Sequence, residues 1–308
     1  MQNLATLFNR VRVAAPRQAG NLQIFGLSVL ESEPFEYETL DEALNKHDLE
    51  VTELSEGGSV PTLKLLNKSD RRVFLMAGEQ LIGAKQNRVL NTSLLVEGKS
   101  EVPIPVSCVE QGRWAYRGRN FGSKGTSSHT KLRHKMNKSV TMSYMACAMP
   151  RSDQGEVWSE VERKLSKMGS VSNSSALEQT YDDTAPKLDT MLHDMTAPPE
   201  CVGAVFAING QVIGLDLFDQ PGTLVKLWPK LVRGYAIDAL EDANASPPVL
   251  SVAEIESWLS RAQDLQPKSF PSPGLGQDVR LEGQQLVGAG LVVEDRPVHV
   301  QLFADLEG

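Results

Sequence analysis

Two short polar clusters carry the side chains of this chain that could do chemistry. The first holds Glu79, Gln80, Lys85, Gln86, Arg88 and Asn91; the second holds Cys108, Glu110, Gln111, Arg113 and Trp114. Between them lie the apolar run Leu94–Val96, a Glu97-Gly98 turn and a second apolar run that ends at Val106. Polar groups at strand ends are the raw material of a site, because the ladder fixes their directions. Glu79 or Glu110 could serve as a general base, with Arg88 and Arg113 stabilising developing negative charge. Arg88 and Arg113 suit a phosphate through their planar fork of donors. Lys85, Gln86, Asn91 and Gln111 add polar contacts to such a ligand, and Trp114 could stack on a base. Plainer readings stand beside these. Glu79 paired with Lys85 or Arg88 would simply pin a hairpin, and a tryptophan commonly packs in a core. Cys108 reads first as a buried structural thiol, since no histidine lies near it in sequence and cysteine is among the most buried residue types.

Strands must position these clusters, and the first half of the chain supplies them. Leu22–Leu30, Glu50–Leu54, Thr62–Leu66, Val73–Ala77, Val89–Val96 and Val102–Val106 are short, rich in β-branched residues and separated by turn signals. One short helix is expected over Thr39–Asn45. The second half opens with helices. Asp153 with Glu156 forms a capping pattern, Val157, Val161, Leu165 and Met168 share a face, and Gly169 stops the helix. Pro186 should interrupt the next helix, and Pro229 should kink the one lined by Leu224, Leu227, Trp228, Leu231 and Tyr235 or start its main segment. Cys201–Ile208 and Gln211–Phe218 flank Asn209-Gly210, the strongest hairpin signal in the chain. Asp242–Pro248 reads as a linker, Ser251 with Glu254 caps a further helix, and strands run on to Phe303. The heptapeptide from Gly78 to Ala84 matches that from Gly283 to Ala289 at five of seven positions, with Gly210–Gly214 a shorter relative. A turn glycine leading into a strand that bears a second glycine points to shared geometry rather than shared chemistry. No βαβ alternation is visible. The expected fold is α+β, with an antiparallel β-rich N-terminal half (1–150) and helices plus β-hairpins in 151–308, integrated into one domain.

Composition sets the limits. The 308 residues hold 41% hydrophobic and 23% charged side chains, as soluble globular chains do, and no run approaches a membrane span. The first twenty residues lack an apolar core, so no secretory signal is expected. Cys108, Cys147 and Cys201 are odd in number, far apart and without Cys–His spacing; a reducing, cytoplasmic setting and no structural metal are expected. No dinucleotide fingerprint, P-loop, nucleophile elbow or zincin motif occurs, and no cofactor is named by the sequence. The net charge of −8 is uneven. Residues 113–138 carry eight Lys or Arg, two His and no acid, leaving 23 basic against 39 acidic side chains elsewhere, a balance of −16. This basic stretch reads as a loop. It could meet a phosphate-bearing ligand, complement the acidic run Glu31–Glu56, or dock a protein partner or second copy. Nucleic-acid binding is disfavoured by the strongly acidic remainder. Within the basic stretch, Lys124–Ser128 has nothing apolar to bury and is expected to be mobile unless a neighbour orders it.

The stretches GEQLIGAKQNRVLNTSLLV (78–96) and PVSCVEQGRW (105–114) resemble the ARPP-1 family. WPKLVRGYAIDAL (228–240) and GQQLVGAGLVVEDRPVHV (283–300) extend the resemblance toward the C-terminus. The family name records association with ADP-ribosylglycohydrolase and rhodanese-phosphatase proteins. The resemblance therefore implies a place in NAD- or ADP-ribose-linked metabolism and supplies no reaction. Joined to the polar clusters, it leads to an expected function: binding of a phosphorylated nucleotide-like ligand, with hydrolysis or group transfer if the protein is an enzyme. The alternative is a non-catalytic scaffold or regulatory subunit that docks through its basic segment.

Overall fold

The computed structural model describes Leu4 and residues 7–29, 34–243 and 247–305. The acidic run from Glu31, the linker over Asp242–Pro248 and the first twenty residues lie partly outside these. The chain divides into two compact units. One comprises Met1–Phe35, Lys187–Phe270 and Gly276–Gly308, and the other Glu36–Pro186 with Pro271–Leu275. The first unit takes strands from both ends of the chain, which share one sheet.

Elements run in chain order as follows. β1 (Val11–Ala19) and β2 (Leu22–Val29) precede β3 (Glu38–Thr39), α1 (Leu40–Asn45), β4 (Leu49–Glu53), β5 (Thr62–Asn67), β6 (Val73–Leu75) and β7 (Gln80–Gly83). Then come β8 (Arg88–Leu90), β9 (Leu94–Val96), β10 (Ser100–Cys108), β11 (Phe121–Gly122), α2 (Thr130–Cys147), α3 (Gln154–Met168) and α4 (Leu177–Leu192). β12 (Gly203–Ile208), β13 (Gln211–Phe218), α5 (Pro221–Glu241), α6 (Val252–Ser260), β14 (Gln266–Pro271), β15 (Gln277–Glu282), β16 (Leu286–Val293) and β17 (Arg296–Ala304) complete it. The class is α+β, with mostly antiparallel sheets.

In the first unit an eight-stranded sheet is ordered β1-β2-β12-β13-β17-β16-β15-β14. β2 and β12 are joined by pairs such as Phe25↔Val205, so the N-terminal hairpin sits beside the mid-chain hairpin. Alternating residues Phe25, Leu27, Val205, Leu215, Leu217, Val300 and Leu302 pack with Ile255, Trp258 and Leu259 of α6. The Asn209-Gly210 turn has positive φ at both residues (52° and 75°), as a two-residue hairpin of the right twist requires. The repeated second glycines share one role. An added Cβ would meet a carbonyl oxygen of the adjacent chain at 2.8 Å for Gly83, 2.7 Å for Gly214 and 2.4 Å for Gly288.

The second unit is built on a six-stranded sheet ordered β11-β7-β8-β10-β5-β4. A bridge between Thr52 and Asn120 ties its first and last strands together, so the sheet closes on itself as a small barrel. Its interior holds Leu49, Val51, Leu63, Leu65, Leu81, Leu90, Ile104, Val106 and Phe121. A three-stranded sheet, β3-β6-β9, adds Val73, Leu75, Leu94 and Val96 to the same core.

Several sequence expectations are corrected here. The expected basic loop is helical from Thr130 onward, and α2 buries Arg133 and His134. Lys124–Ser128 is irregular but packed: Thr126, Ser127 and Ser128 are buried, Gln80 N donates to Thr126 O, and Ser128 N donates to Gly78 O. These backbone bonds and the Thr126 hydroxyl bond to Glu178 offset the ordering cost in place of the apolar burial that the segment lacks. α4 passes through Pro186 unbroken; the bond lost is to the carbonyl of Asp182, an exposed position where water can serve. α5 is a single helix with Pro229 inside it, and its Lys230 is buried.

Candidate functional site at the barrel mouth

Antiparallel alternation brings three connections to one end of the barrel: β4–β5 (54–61), β7–β8 (84–87) and β10–β11 (109–120). The ends of β4, β7 and β10 and the starts of β8 and β11 lie there. This is how the two polar clusters meet: Arg88 pairs with Cys108 across β8 and β10.

Inward positions on these strands carry leucine and valine until the rim, where Glu53, Arg88 and Cys108 replace them. Arg88 is fully buried. Its Nη1 donates to Gln86 Oε1 at 2.8 Å, and its Nη2 lies 3.9 Å from Glu53 Oε1. Arg88 Nε and Nη2 and both Glu53 carboxylate oxygens are buried without a hydrogen-bond partner. Burial pulls the guanidinium below its ordinary pKa, opposed by Cys108 and Glu53. Burial likewise raises the Cys108 thiol, as expected for a structural cysteine rather than a nucleophile.

Trp114, 47% exposed, lies above Arg88, with the guanidinium carbon 5.7 Å from its ring centroid. Lys85 Nζ stands 5.1 Å from the rings of both Trp114 and Tyr116. It donates to Glu56 O at 2.5 Å and Gly57 O at 2.8 Å, fastening the 54–61 loop to the β7–β8 connection. Beside this lid opens a cleft of about 810 Å³ lined by Thr52, Glu53, Glu56, Lys64, Tyr116 and Arg119.

Glu110 is the internal anchor of the mouth. Its Oε2 accepts from Arg113 Nη2 at 2.6 Å and Asn87 N at 3.0 Å, and its Oε1 accepts from Ser174 Oγ at 2.7 Å. Burial alone would raise its pKa, but the bonds from Arg113, Ser174 and Asn87 outweigh that and hold it below the ordinary glutamate value. Arg113 also donates to Ala84 O, Ala115 O, Gly83 O and Asn87 Oδ1. A carboxylate so engaged and so acidic is a weak proton acceptor. Glu79 is buried too, and its Oε2 accepts the Met76 N–H at 2.6 Å, closing a turn.

Not every sequence candidate comes to the mouth. Asn91 and Ser107 lie on the outer face of the barrel wall, bonded to one another at 2.7 Å, and Asn91 Nδ2 reaches Pro150 O at 3.0 Å. Gln111 is exposed. Conversely, Glu53 and Lys64 escape a sequence reading, and Tyr116 and Arg119 lie in the basic stretch without standing out from it. Only Glu53 leaves a signal: Leu49-Val51-Glu53 puts a carboxylate where period-two alternation calls for an apolar residue. Among the described residues no group of three or more His, Cys, Asp or Glu could hold a metal ion.

The family model described as the ARG and Rhodanese-Phosphatase-superfamily-associated Protein domain, ARPP-1, matches residues 10–303. The chain belongs to the ARPP-1 family. No curated protein and no solved structure matches it. The ARPP-1 match covers both units, so neither is an accessory addition to the family's domain. No described helix of this ARPP-1 chain is long and apolar enough to cross a membrane.

Proposed function

We propose that this ARPP-1 protein binds a phosphorylated, nucleotide-like ligand at the barrel mouth and works in NAD- or ADP-ribose-linked metabolism. One observation carries the reading. A buried guanidinium and a buried carboxylate, Arg88 and Glu53, stand 3.9 Å apart with hydrogen-bonding atoms unused, and Glu53 lines the cleft. Burying such groups unsatisfied costs free energy, which a ligand that bonds them would recover. The cleft volume lies within the range that holds small ligands, and a barrel mouth is a common place for one. Glu53 would accept ribose hydroxyls, Arg88 and Arg119 would meet phosphate oxygens, and Trp114 or Tyr116 would stack on the base. Lys85 and Gln86 position the lid and Arg88, while Glu110 and Arg113 set the connection that carries the aromatics. If hydrolysis or group transfer occurs here, Glu53 is the carboxylate with lone pairs to spare. The metabolic setting rests on the family name alone, and a cytoplasmic setting on the three free thiols.

Calorimetric titration with ADP-ribose, NAD, AMP and ribose 5-phosphate tests this. At least one nucleotide should bind, and Tyr116→Ala and Arg119→Ala, both at exposed positions, should weaken it. Failure of all four ligands to bind, or undiminished binding by both variants, rejects the mouth as the site.

A further inference from the structure

The opposite face of the barrel wall holds a second set of unused polar atoms, and this inference does not rest on the mouth reading. Glu79 and Ser127 form an antiparallel bridge. Alternation then places Gly78, Gln80 and Ser128 together on the other side of that pair. Arg133 lies there too: a Cβ added to Gly78 would sit 2.9 Å from Arg133 Cδ, so the absence of a side chain at 78 leaves room for the arginine to cross. Ser128 and Thr130 flank the amino end of α2, an 18-residue helix.

Four features single this place out. Both amide atoms of Gln80, Ser128 Oγ and Thr130 Oγ1 are buried without a hydrogen-bond partner. Gln80 and Ser128 are 0% exposed and Thr130 5%. The N-cap, His129, makes no side-chain cap bond, and no acid occupies the first turn of α2. By contrast α1, α3 and α6 are capped by Thr39, Asp153 and Ser251. Two buried acids of this unit already hold partners of their own, Glu178 through Thr126 beside Gln80. Glu160 accepts from His129 Nε2 at 2.9 Å and from Arg163, with Lys135 Nζ at 3.3 Å. Glu178 accepts from Thr126 Oγ1 at 3.0 Å, with Lys124 Nζ at 3.5 Å.

We propose that Gln80, Ser128, Thr130 and Arg133, at the amino end of α2, form a binding site for a phosphoryl group. Every one of these side chains can donate a hydrogen bond, and the helix end adds its own N–H groups and partial positive charge. Such a set suits an acceptor-only anion rather than a cation. A phosphoryl group, with three terminal oxygens, uses more of the donors than a carboxylate can.

The test is a thermal melt with inorganic phosphate and, separately, ribose 5-phosphate, against chloride at equal ionic strength, with phosphorus NMR line broadening as a direct readout. The wild-type protein should melt higher with phosphate or with the sugar phosphate, the two arms telling a free anion from a phosphomonoester. Ser128→Ala and Gln80→Leu remove groups that have no protein partner, so each should melt at or above the wild type without phosphate and lose the phosphate-dependent rise. Trp114→Ala, which alters the mouth, should keep it. No rise or broadening with either compound, a rise retained in both Ser128→Ala and Gln80→Leu, or a rise lost in Trp114→Ala overturns the proposal.

Discussion

The two units differ in how fully they pair their buried polar groups: in the first, Gln23 Nε2 is buried without a partner, whereas in the second such atoms recur on many residues. In the first, Asp216 accepts from Tyr235 Oη at 2.8 Å and from His299 Nε2 at 3.0 Å, and Asn21 Nδ2 donates to Ala239 O, Asp242 O and Asn209 Oδ1. Every partner there belongs to the chain. In the second, Glu53, Gln80, Arg88, Thr92, Ser128 and Thr130 are buried with atoms unused. A network completed by its own chain serves stability, whereas one left open has capacity for something that is not the chain. The first unit therefore reads as scaffold and the second as the unit that meets ligands.

That contrast can be broken or sharpened by substitution. The largest effect should come from Glu110→Ala, which takes the acceptor from Arg113, Asn87 N and Ser174 at once. A loss of roughly 3–5 kcal/mol in denaturant unfolding is expected for a stripped buried pair, and a loss below about 1 kcal/mol would show that the mouth is not internally anchored. The same residue sets a pH dependence. Glu110 and Glu160 both have folded-state pKa values below the ordinary one. Their contribution is therefore present above the unfolded value of about 4.3 and lost as pH falls toward their folded values. Glu110→Gln should flatten the fall in melting temperature below about pH 4 relative to the wild type; an unchanged profile would contradict the assignment.

Smaller effects test the contrast between units directly. Tyr235→Phe, in the completed network, should cost about 1 kcal/mol or somewhat more, because Asp216 is left short of a donor. Thr92→Val, removing a buried hydroxyl with no partner, should change stability by no more than about 0.5 kcal/mol or raise it. Equal losses at both positions would erase the distinction drawn here. At the limit of no effect stands Cys108: iodoacetamide near neutral pH should label exposed Cys147 and leave Cys108 unmodified in the native protein. Rapid labelling of Cys108 would restore it as a nucleophile.

Strand alternation made most of the barrel and the long central hairpin legible, helix-favouring residues located α1, and capping patterns located α3 and α6. β1 was not legible, because its residues alternate weakly and Pro16 lies at a register shift. α2 was hidden for a more instructive reason. Its buried side includes Thr130, Arg133, His134, Asn137 and Thr141 at helical spacing beside Leu132, Met136 and Val140. A helix that buries a polar stripe has no apolar signature and looks like a solvated basic loop. The mouth was half legible. The lysine, arginines and tryptophan stand in two conspicuous runs, but Glu53 comes from a strand more than thirty residues earlier, and only closure of the sheet brings it to Arg88.

The first unit is assembled from three separated stretches, while nearly all of the second is the continuous stretch Glu36–Pro186. On a ribosome the barrel can close, and its mouth take shape, as soon as residue 186 has emerged. β2 must meanwhile wait for β12, a loop closure of some 180 residues, and the eight-stranded sheet cannot be finished until β17 appears. The nascent chain thus carries an unpaired N-terminal hairpin through most of its synthesis. Early truncation should yield a folded barrel trailing an aggregation-prone strand, so expression of 36–186 alone is the natural way to isolate the ligand-meeting half of the molecule.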